Sequence, residues 1–597
     1  MRSLVNLAKT RRFAFRCAAI GVVMAVLFGV CFGQLANIQL LNGKVTAEAA
    51  TAARTLKVPV GARRGKILDA NGAVLAQSVE RYTIVADPQM AQGFVPTDCV
   101  KQTVGRCHEV GGKPLEVKGA AAVARIIAPV LGMNAMEVGA KLSVPGRYAV
   151  IKKDVEPSVK RKLDKLNLGG IIYGELSEQR VYSGGNMIGA LLGGVNDKGH
   201  GVSGIEAKMD KELSGADGYK VYQQGNGGVE IPGTLTASKD AKNGSDVRLT
   251  IDSDVDWYVK KTLIDGCQRF KADWAIAVVQ DARTHQIIAL EDNDDIAAGS
   301  DAAKLNVSRA VRQTFEPGSV GKVISVAGMV QSGVHQMTDR FQVPDHFVKK
   351  GQSFHDAVWH PVSNWTLAGV LQNSSNVGTV MAAENYSDQQ RYDFLTKFGI
   401  GEPTGLDLPG ESSGTLTTPK AWDGRTRDTI LFGQGYAVNL MQLNNAVGVV
   451  ADGGVYKKPG IIESITDPEG HATLMSPQDG TRVIDQAVNA QLSDAMESAQ
   501  GHYQAVTGIP GYRTAGKSGT AEVNDGDGRL DSIVSDWSGF LPADNPRFVI
   551  TVVMSNPEGS LGGITAGPLF NQIGEFLMQK YEVPTSGPRT NAIPVDW

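Results

Sequence analysis

Between Cys17 and Gly43 the chain carries no charged side chain. A run this long, uncharged and mostly apolar, has few places to go. Crossing the hydrocarbon core of a bilayer takes about 20 such residues in helical form. Cys17 to Gly33, extended by Gln34 to Leu41, supplies them. A buried helix of a soluble domain would keep a polar face, which this run lacks. Arg2, Lys9, Arg11, Arg12 and Arg16 precede it, and the first acidic residue is Glu48. Basic residues on the N-terminal side predict a cytoplasmic N-terminus and an exported remainder. A cleaved signal peptide is the alternative. The only small-residue cleavage pattern, Ala47-Glu48-Ala49, lies well beyond the apolar core, which favours an uncleaved anchor. Residues 1–16 are read as cytoplasmic and 17–41 as the anchor.

The 597 residues are enough for several domains. A formal net charge of -3 gives no electrostatic case for nucleic acid, and no basic nucleic-acid motif is present. Cys17 and Cys31 lie in the span. Cys99 and Cys107 bracket a short polar loop outside it, where disulfides persist, and are expected to pair. No Cys/His set has zinc spacing and no His-Glu-x-x-His occurs, so neither metal nor cofactor is expected.

Chemistry concentrates first at Thr314 to Gly333. Pro317 and Gly318 punctuate the backbone, and Ser319 stands where a helix can begin. Val323, Ile324, Val326, Ala327 and Val330 form an apolar run of helical length that Gly333 can end. Ser319 and Lys322 then share one helix face. A serine hydroxyl is a weak nucleophile until a base takes its proton, and a neutral lysine one turn away can do so. Alone, Ser-x-x-Lys is a frequent chance pattern and reads more readily as a capping serine beside a solvated lysine. Ser374-Ser375-Asn376 follows the apolar segment Trp365 to Gln372, at a helix-end loop, and Lys517-Ser518-Gly519-Thr520 lies in a strand-like run, Tyr512 to Val523.

Ser-x-x-Lys, Ser-x-Asn and Lys-Ser/Thr-Gly in this order resemble the signature of penicillin-binding proteins and serine β-lactamases. The resemblance widens upstream. Arg64, Gly65, Ile67, Asp69 and Gly72 match a block that opens the non-catalytic pedestal of class B penicillin-binding proteins. Arg180-Val181-Tyr182 and Gly204-Ile205-Glu206 also look like pedestal elements, with Arg180 and Glu206 read as a buried structural ion pair. Polar residues Asp240 to Asp246 suit a boundary. The expected organisation is a pedestal at 42–243, a transpeptidase domain at 244–584 and a mobile Pro-containing tail at 585–597.

Local patterns give an α+β domain: a strand at Val247–Asp252, a helix at Asp254–Phe270, a hairpin at 274–290, a helical middle, then strands at Trp537–Leu541 and Phe548–Met554 and a closing helix. In the pedestal, Tyr82–Ala86 reads as a strand, and Gly119–Leu142 and Val155–Leu166 as helices. Asn524 to Asp531 reads as an exposed loop.

What the resemblance implies is a D,D-transpeptidase acting on peptidoglycan stem peptides ending in D-Ala-D-Ala, inhibited covalently by β-lactams. Ser319 would be the nucleophile, Lys322 its base, Lys517 the cation that helps keep Lys322 neutral, Ser374 a proton relay and Asn376 an orienting amide. Ser518 and Thr520 would hold the terminal carboxylate, Gly519 would let substrate approach, and the N–H groups of Ser319 and Thr520 would form the oxyanion hole. Gly433-Gln434-Gly435 would shape the cleft. Val320-Gly321 departs from the Thr/Ser-Phe-like pair usual there. A D,D-carboxypeptidase or β-lactamase-like hydrolase is the runner-up, and a non-catalytic scaffold of a wall-synthesis complex the alternative of another class. The family resemblance is to the division-specific type, implying a multi-pass membrane glycan polymerase and division proteins as partners. Gln34, Asn37 and Gln39 in the anchor suit either a neighbouring helix or the headgroup region.

Overall fold

The computed structural model describes residues 2–41, 43–103, 105–225, 230–475, 479–523, 532–590 and 592–597. The expected loop at 524–531 lies outside them. An N-terminal helix runs Arg2–Ala36, and Phe13–Gln39 is long and apolar enough to cross a membrane. Phe15, Ile20, Leu27, Phe28 and Phe32 are exposed along it, which only an apolar surrounding makes favourable.

The chain divides into two compact units. The smaller holds 1–62, 82–175 and 216–242, and the larger 63–81, 176–215 and 243–597. In the smaller, Thr55–Val60 pairs antiparallel with Gly218–Gln223, which pairs with Ala237–Lys239. Tyr82 to Ala86 pairs with Ala149–Val155 and closes a core of Ile84, Val123, Ile127, Leu131, Val138, Leu142 and Ile151. The helical stretch read at 119–142 is two helices, Gly119–Leu131 and Ala135–Leu142. Gly132 turns left-handed (φ 61°) to end the first, and the Asn134 side chain accepts from the Met136 N–H to cap the second. Cys99 and Cys107 are joined by a disulfide.

The larger unit is built on a five-stranded antiparallel sheet, in order Ile287–Asp292, Trp274–Asp281, Phe548–Ser555, Ser532–Leu541, Ala515–Val523. Both faces are buried. Ala275, Ala277 and Val279 pack with Val255, Leu263, Leu569, Phe570 and Ile573 of helices Ser253–Phe270 and Gly562–Lys580. Ile276 and Val278 point the other way, into the core shared with the helical middle. Alternation along one strand thus serves two layers. The Lys517 strand is the outermost of the sheet.

Also in this unit, Arg64 and Arg180 converge on Glu206, whose side chain is wholly buried. The contacts are 2.6 Å and 2.8 Å. Arg64 also holds Asp210 at 2.6 Å, and Arg180 donates to the Gly65 carbonyl. The ion pair read from the sequence is part of a four-residue cluster, Arg64, Arg180, Glu206 and Asp210, that ties 63–81 to 176–215.

The tail at 585–597 is not mobile as expected. Arg589 pairs with Asp494 at 2.7 Å, Thr366 N–H donates to the Val595 carbonyl, and the Trp597 N–H donates to Asn364. Proline and small residues suggested disorder, but long-range backbone partners outweigh that local signal.

Glu206→Ala should strand two arginines in a dry site. A loss of about 3–5 kcal/mol is expected, read in denaturant melts of the chain. A loss within about 1 kcal/mol would mean that the arginines reach water.

Candidate active site

Ser319 sits in a single 3-10 turn, Gly318–Val320, that runs into the helix Gly321–Gln331. Gly318 makes this entry possible. It is left-handed (φ 51°), and a Cβ there would lie 2.7 Å from the Thr520 carbonyl oxygen and 2.9 Å from the Thr520 nitrogen. The close approach sets the nucleophile turn directly against the Lys517 strand. The Gly318 N–H donates to Gly433, the first residue of the Gly-Gln-Gly stretch, which braces the turn from the other side.

One helical turn on, Lys322 is completely buried. Its Nζ lies 2.8 Å from Ser319 Oγ, 2.6 Å from the Ser374 carbonyl oxygen and 2.7 Å from Asn376 Oδ1. Two of these neighbours can only accept hydrogen bonds. A neutral amine has two N–H bonds for them and one lone pair left, which faces the hydroxyl of Ser319. The environment favours that state. Burial holds the Lys322 amine well below the ordinary lysine range, and the nearby Lys517 charge pushes the same way, against a weaker pull from Asp356.

The Ser374 turn follows helix Leu367–Gln372. Ser374 is left-handed (φ 56°), an uncommon state for a residue with a Cβ, and it aims its carbonyl at Lys322. Such a conformation costs of order 1–3 kcal/mol and persists where surroundings impose it. Asp356, which the sequence reading did not single out, does much of the imposing. Its carboxylate accepts from Ser375 Oγ at 2.5 Å and from the Val377 N–H at 3.0 Å, and lies 2.9 Å from His360 Nε2. It belongs to an irregular loop with no periodicity or motif, so nothing local could have marked it.

Lys517 closes the constellation. Its Nζ is buried, 2.9 Å from both Ser374 Oγ and the Ser518 carbonyl. Burial draws this lysine down to about 7, against the opposing pull of Asp536. Ser374 Oγ therefore bridges the two amines, 3.4 Å from Lys322 and 2.9 Å from Lys517. The geometry brings together Ser319, Lys322, Ser374, Asn376 and Lys517.

The other strand residues need comment. Ser518 Oγ lies 3.4 Å from Lys517 Nζ. The Thr520 hydroxyl donates to the Gly519 carbonyl and accepts from the Gly562 N–H, so it must rotate to meet a ligand. Gly519 has a reason other than the one expected. A Cβ there would fall 2.3 Å and 2.5 Å from the carboxylate oxygens of Asp536 and 2.6 Å from the Pro317 carbonyl oxygen. Packing behind the strand requires the glycine, whatever substrate does in front. Among the described residues no cluster of His, Cys, Asp and Glu could hold a metal ion.

The assembly is a hydroxyl beside a buried amine whose neutral form is favoured, and a second hydroxyl between that amine and another on the outermost strand of a sheet. Such a set can open an activated carbonyl and hold the acyl group on serine.

Residues 275–575 match the penicillin-binding protein transpeptidase domain, and 59–249 the penicillin-binding protein dimerisation domain. The chain is 32% identical to penicillin-binding protein PbpB of Mycobacterium tuberculosis, over 96% of this chain and 86% of that relative. It is 28% identical to the peptidoglycan D,D-transpeptidase FtsI of Escherichia coli, over 94% of this chain and 90% of that one. A crystal structure of a peptidoglycan synthetase from Bifidobacterium adolescentis is 59% identical, covering 91% of this chain and 100% of that chain, with a TM-score of 0.75. Penicillin-binding protein 3 from Mycobacterium tuberculosis, complexed with aztreonam, is 27% identical, covering 89% of this chain and 98% of that chain, with a TM-score of 0.66.

Lys517→Met keeps length and loses charge. Without the neighbouring cation the Lys322 amine rises toward the ordinary lysine range, so its neutral form appears only at higher pH. The acid limb of the acylation rate should therefore move upward. A limb that stays in place while the rate falls uniformly would remove Lys517 from the control of Lys322.

Proposed function

The chain belongs to the penicillin-binding transpeptidase family, and on that premise we propose that it cross-links peptidoglycan stem peptides through an acyl-enzyme on Ser319. The observation that carries this is the buried Lys322 Nζ, 2.8 Å from Ser319 Oγ and held by two groups that can only accept, the Ser374 carbonyl and Asn376 Oδ1.

Lys322 takes the Ser319 proton as Oγ attacks the carbonyl between the last two D-Ala residues. The N–H groups of Ser319 and Thr520 receive the developing oxyanion, a contribution worth about 3 kcal/mol per donor. Ser374, in contact with both lysines, passes a proton to the departing nitrogen. Asn376 fixes Lys322 with its carbonyl oxygen, and its Nδ2 donates to the His355 carbonyl. Lys517 attracts the substrate's terminal carboxylate, with the Ser518 and Thr520 hydroxyls as partners and Gly519 between them. That carboxylate in turn favours the charged form of Lys517. An amine from a second stem peptide then takes the acyl group. A β-lactam presents the same carboxylate and an amide that cannot leave, so it stops at the acyl-enzyme.

The apolar N-terminal helix serves as a single membrane anchor, with 1–16 cytoplasmic and the catalytic part outside. The organisation proposed is 17–41 anchor, 42–243 pedestal, 244–584 transpeptidase and 585–597 tail. Relatives named FtsI and PbpB support a role in septal wall synthesis, and the partners proposed for it are a multi-pass membrane glycan polymerase and division proteins.

Benzylpenicillin should label Ser319 alone, found by peptide mass mapping, and Ser319→Ala should not label. An adduct elsewhere rejects the assignment. Persistence of the adduct over hours separates a transpeptidase from a β-lactamase-like hydrolase, and absence of any adduct would favour a scaffold. Lys322→Ala should stay folded and lose acylation by about a hundredfold or more.

For the septal role, a fluorescent fusion should gather at midcell, and depletion should give cells that grow without dividing. Dispersed lateral-wall signal would place the protein in elongation instead.

A further inference from the structure

Directly behind the catalytic strand lies an acid that no step above uses. Asp536 is completely buried on Ser532–Leu541, and neither of its carboxylate oxygens has a hydrogen-bond partner. Unpartnered buried carboxylates are rare because each loses its hydration without compensation. The register explains where this one points. Asp536 stands directly opposite Gly519 in the antiparallel pair, and Lys517 opposite Ser538. Residues two apart on a strand share a face, so Lys517, Gly519 and Asp536 are on the same one. The carboxylate occupies the space that a Gly519 side chain would fill, one residue pair from Lys517.

We propose that Asp536 is a positioning residue for acylation: it is the counter-charge that keeps Lys517 ionised and so, through Lys517, keeps Lys322 neutral. Every neighbour bears on this. Lys517 is faced by Asp536 from the next strand and Lys322 from the serine helix, and it acts on His502 at the end of helix Gln486–Gly501. Asp536 is faced by Lys517 and by the buried phenol of Tyr436, which Glu316 also faces. Asp356 acts on Lys322. Of these, only Lys517 offers Asp536 a positive charge. Burial pushes the Asp536 carboxyl well above the usual carboxylate range and draws Lys517 down to about 7, while each opposes that drift in the other. The two ionise together more readily than either alone.

The consequence has a sign. Acylation needs Lys322 neutral and Lys517 charged, so the rate rises with pH through the first and falls through the second. Removing the Asp536 charge lowers the pH at which Lys517 loses its proton, and the alkaline limb moves to lower pH. Where Lys517 is still protonated, the acid limb stays.

The test is the second-order rate of benzylpenicillin acylation across pH, with the full-length chain in detergent. Wild type, Asp536→Asn and Asp536→Ser are compared, with thermal melts to confirm folding. Relative to wild type, Asp536→Asn should lose about tenfold or more near pH 8 and less than about threefold near pH 6, a one-unit displacement being tenfold. The same displacement in the smaller Asp536→Ser separates charge from shape, and that variant decides if the first does not fold. Equal losses at both pH values, or none, overturn the inference. It rests on the roles proposed for Lys322 and Lys517, and the controls keep the two apart. Failure of wild type to be acylated at Ser319 rejects both, whereas a wild-type bell with a parallel mutant profile rejects only the role of Asp536.

Discussion

The catalytic lobe depends on one amine staying uncharged. An ammonium ion placed where Lys322 lies is cut off from water, and the cost of that isolation favours loss of its proton. Other features follow from this demand. The helix must start at Ser319 and not a turn later, so that Ser319 and Lys322 share a face. The Ser374 turn must adopt a left-handed conformation, so that its carbonyl reaches Nζ. A second lysine must come near enough to repel charge on the first without forming a bond to it, and Ser374 Oγ sits between the two. Stability is given up at each point, and the surrounding core returns it. The residues that flank Lys322, Val323 and Ile324 among them, belong to a continuous apolar cluster.

Much of this was legible in the sequence because the reacting groups fall in short, ordered motifs whose local contexts are regular. Ser319, Lys322, Ser374, Asn376 and Lys517 were each marked by spacing, and the structure links them through hydrogen bonds at Lys322 and Ser374. The α+β class was also legible, from strands of alternating and continuous apolar residues on either side of a helical middle. Asp356 and Asp536 were not. Asp356 acts across a separation of 19 residues on Ser375, from a loop without pattern. Asp536 acts through strand register, which one sequence does not specify. The tail was misread for a related reason: its partners, Asp494, Thr366 and Asn364, are far away in the chain.

Glycine carries a second part of the design. Gly318 lets the nucleophile turn touch the backbone of Thr520, and Gly519 leaves room behind the strand for a carboxylate. The usual account of a glycine beside a catalytic strand looks outward, toward the ligand. Here the tighter constraint is internal. The same residue can satisfy both, but the internal demand is present before any ligand arrives.

The position of the Lys517 strand has a further consequence. Ala515–Val523 is the outermost strand of the five, paired with a neighbour on one side only. Exposed edges are templates for any extended peptide, and most proteins shorten, charge or cover them to avoid joining their own copies. On the reading proposed above, this edge is where an extended stem peptide would lie as a temporary sixth strand. Selectivity among peptides then falls to what lines the edge, and self-association is discouraged by the Ser319 turn packed against Thr520.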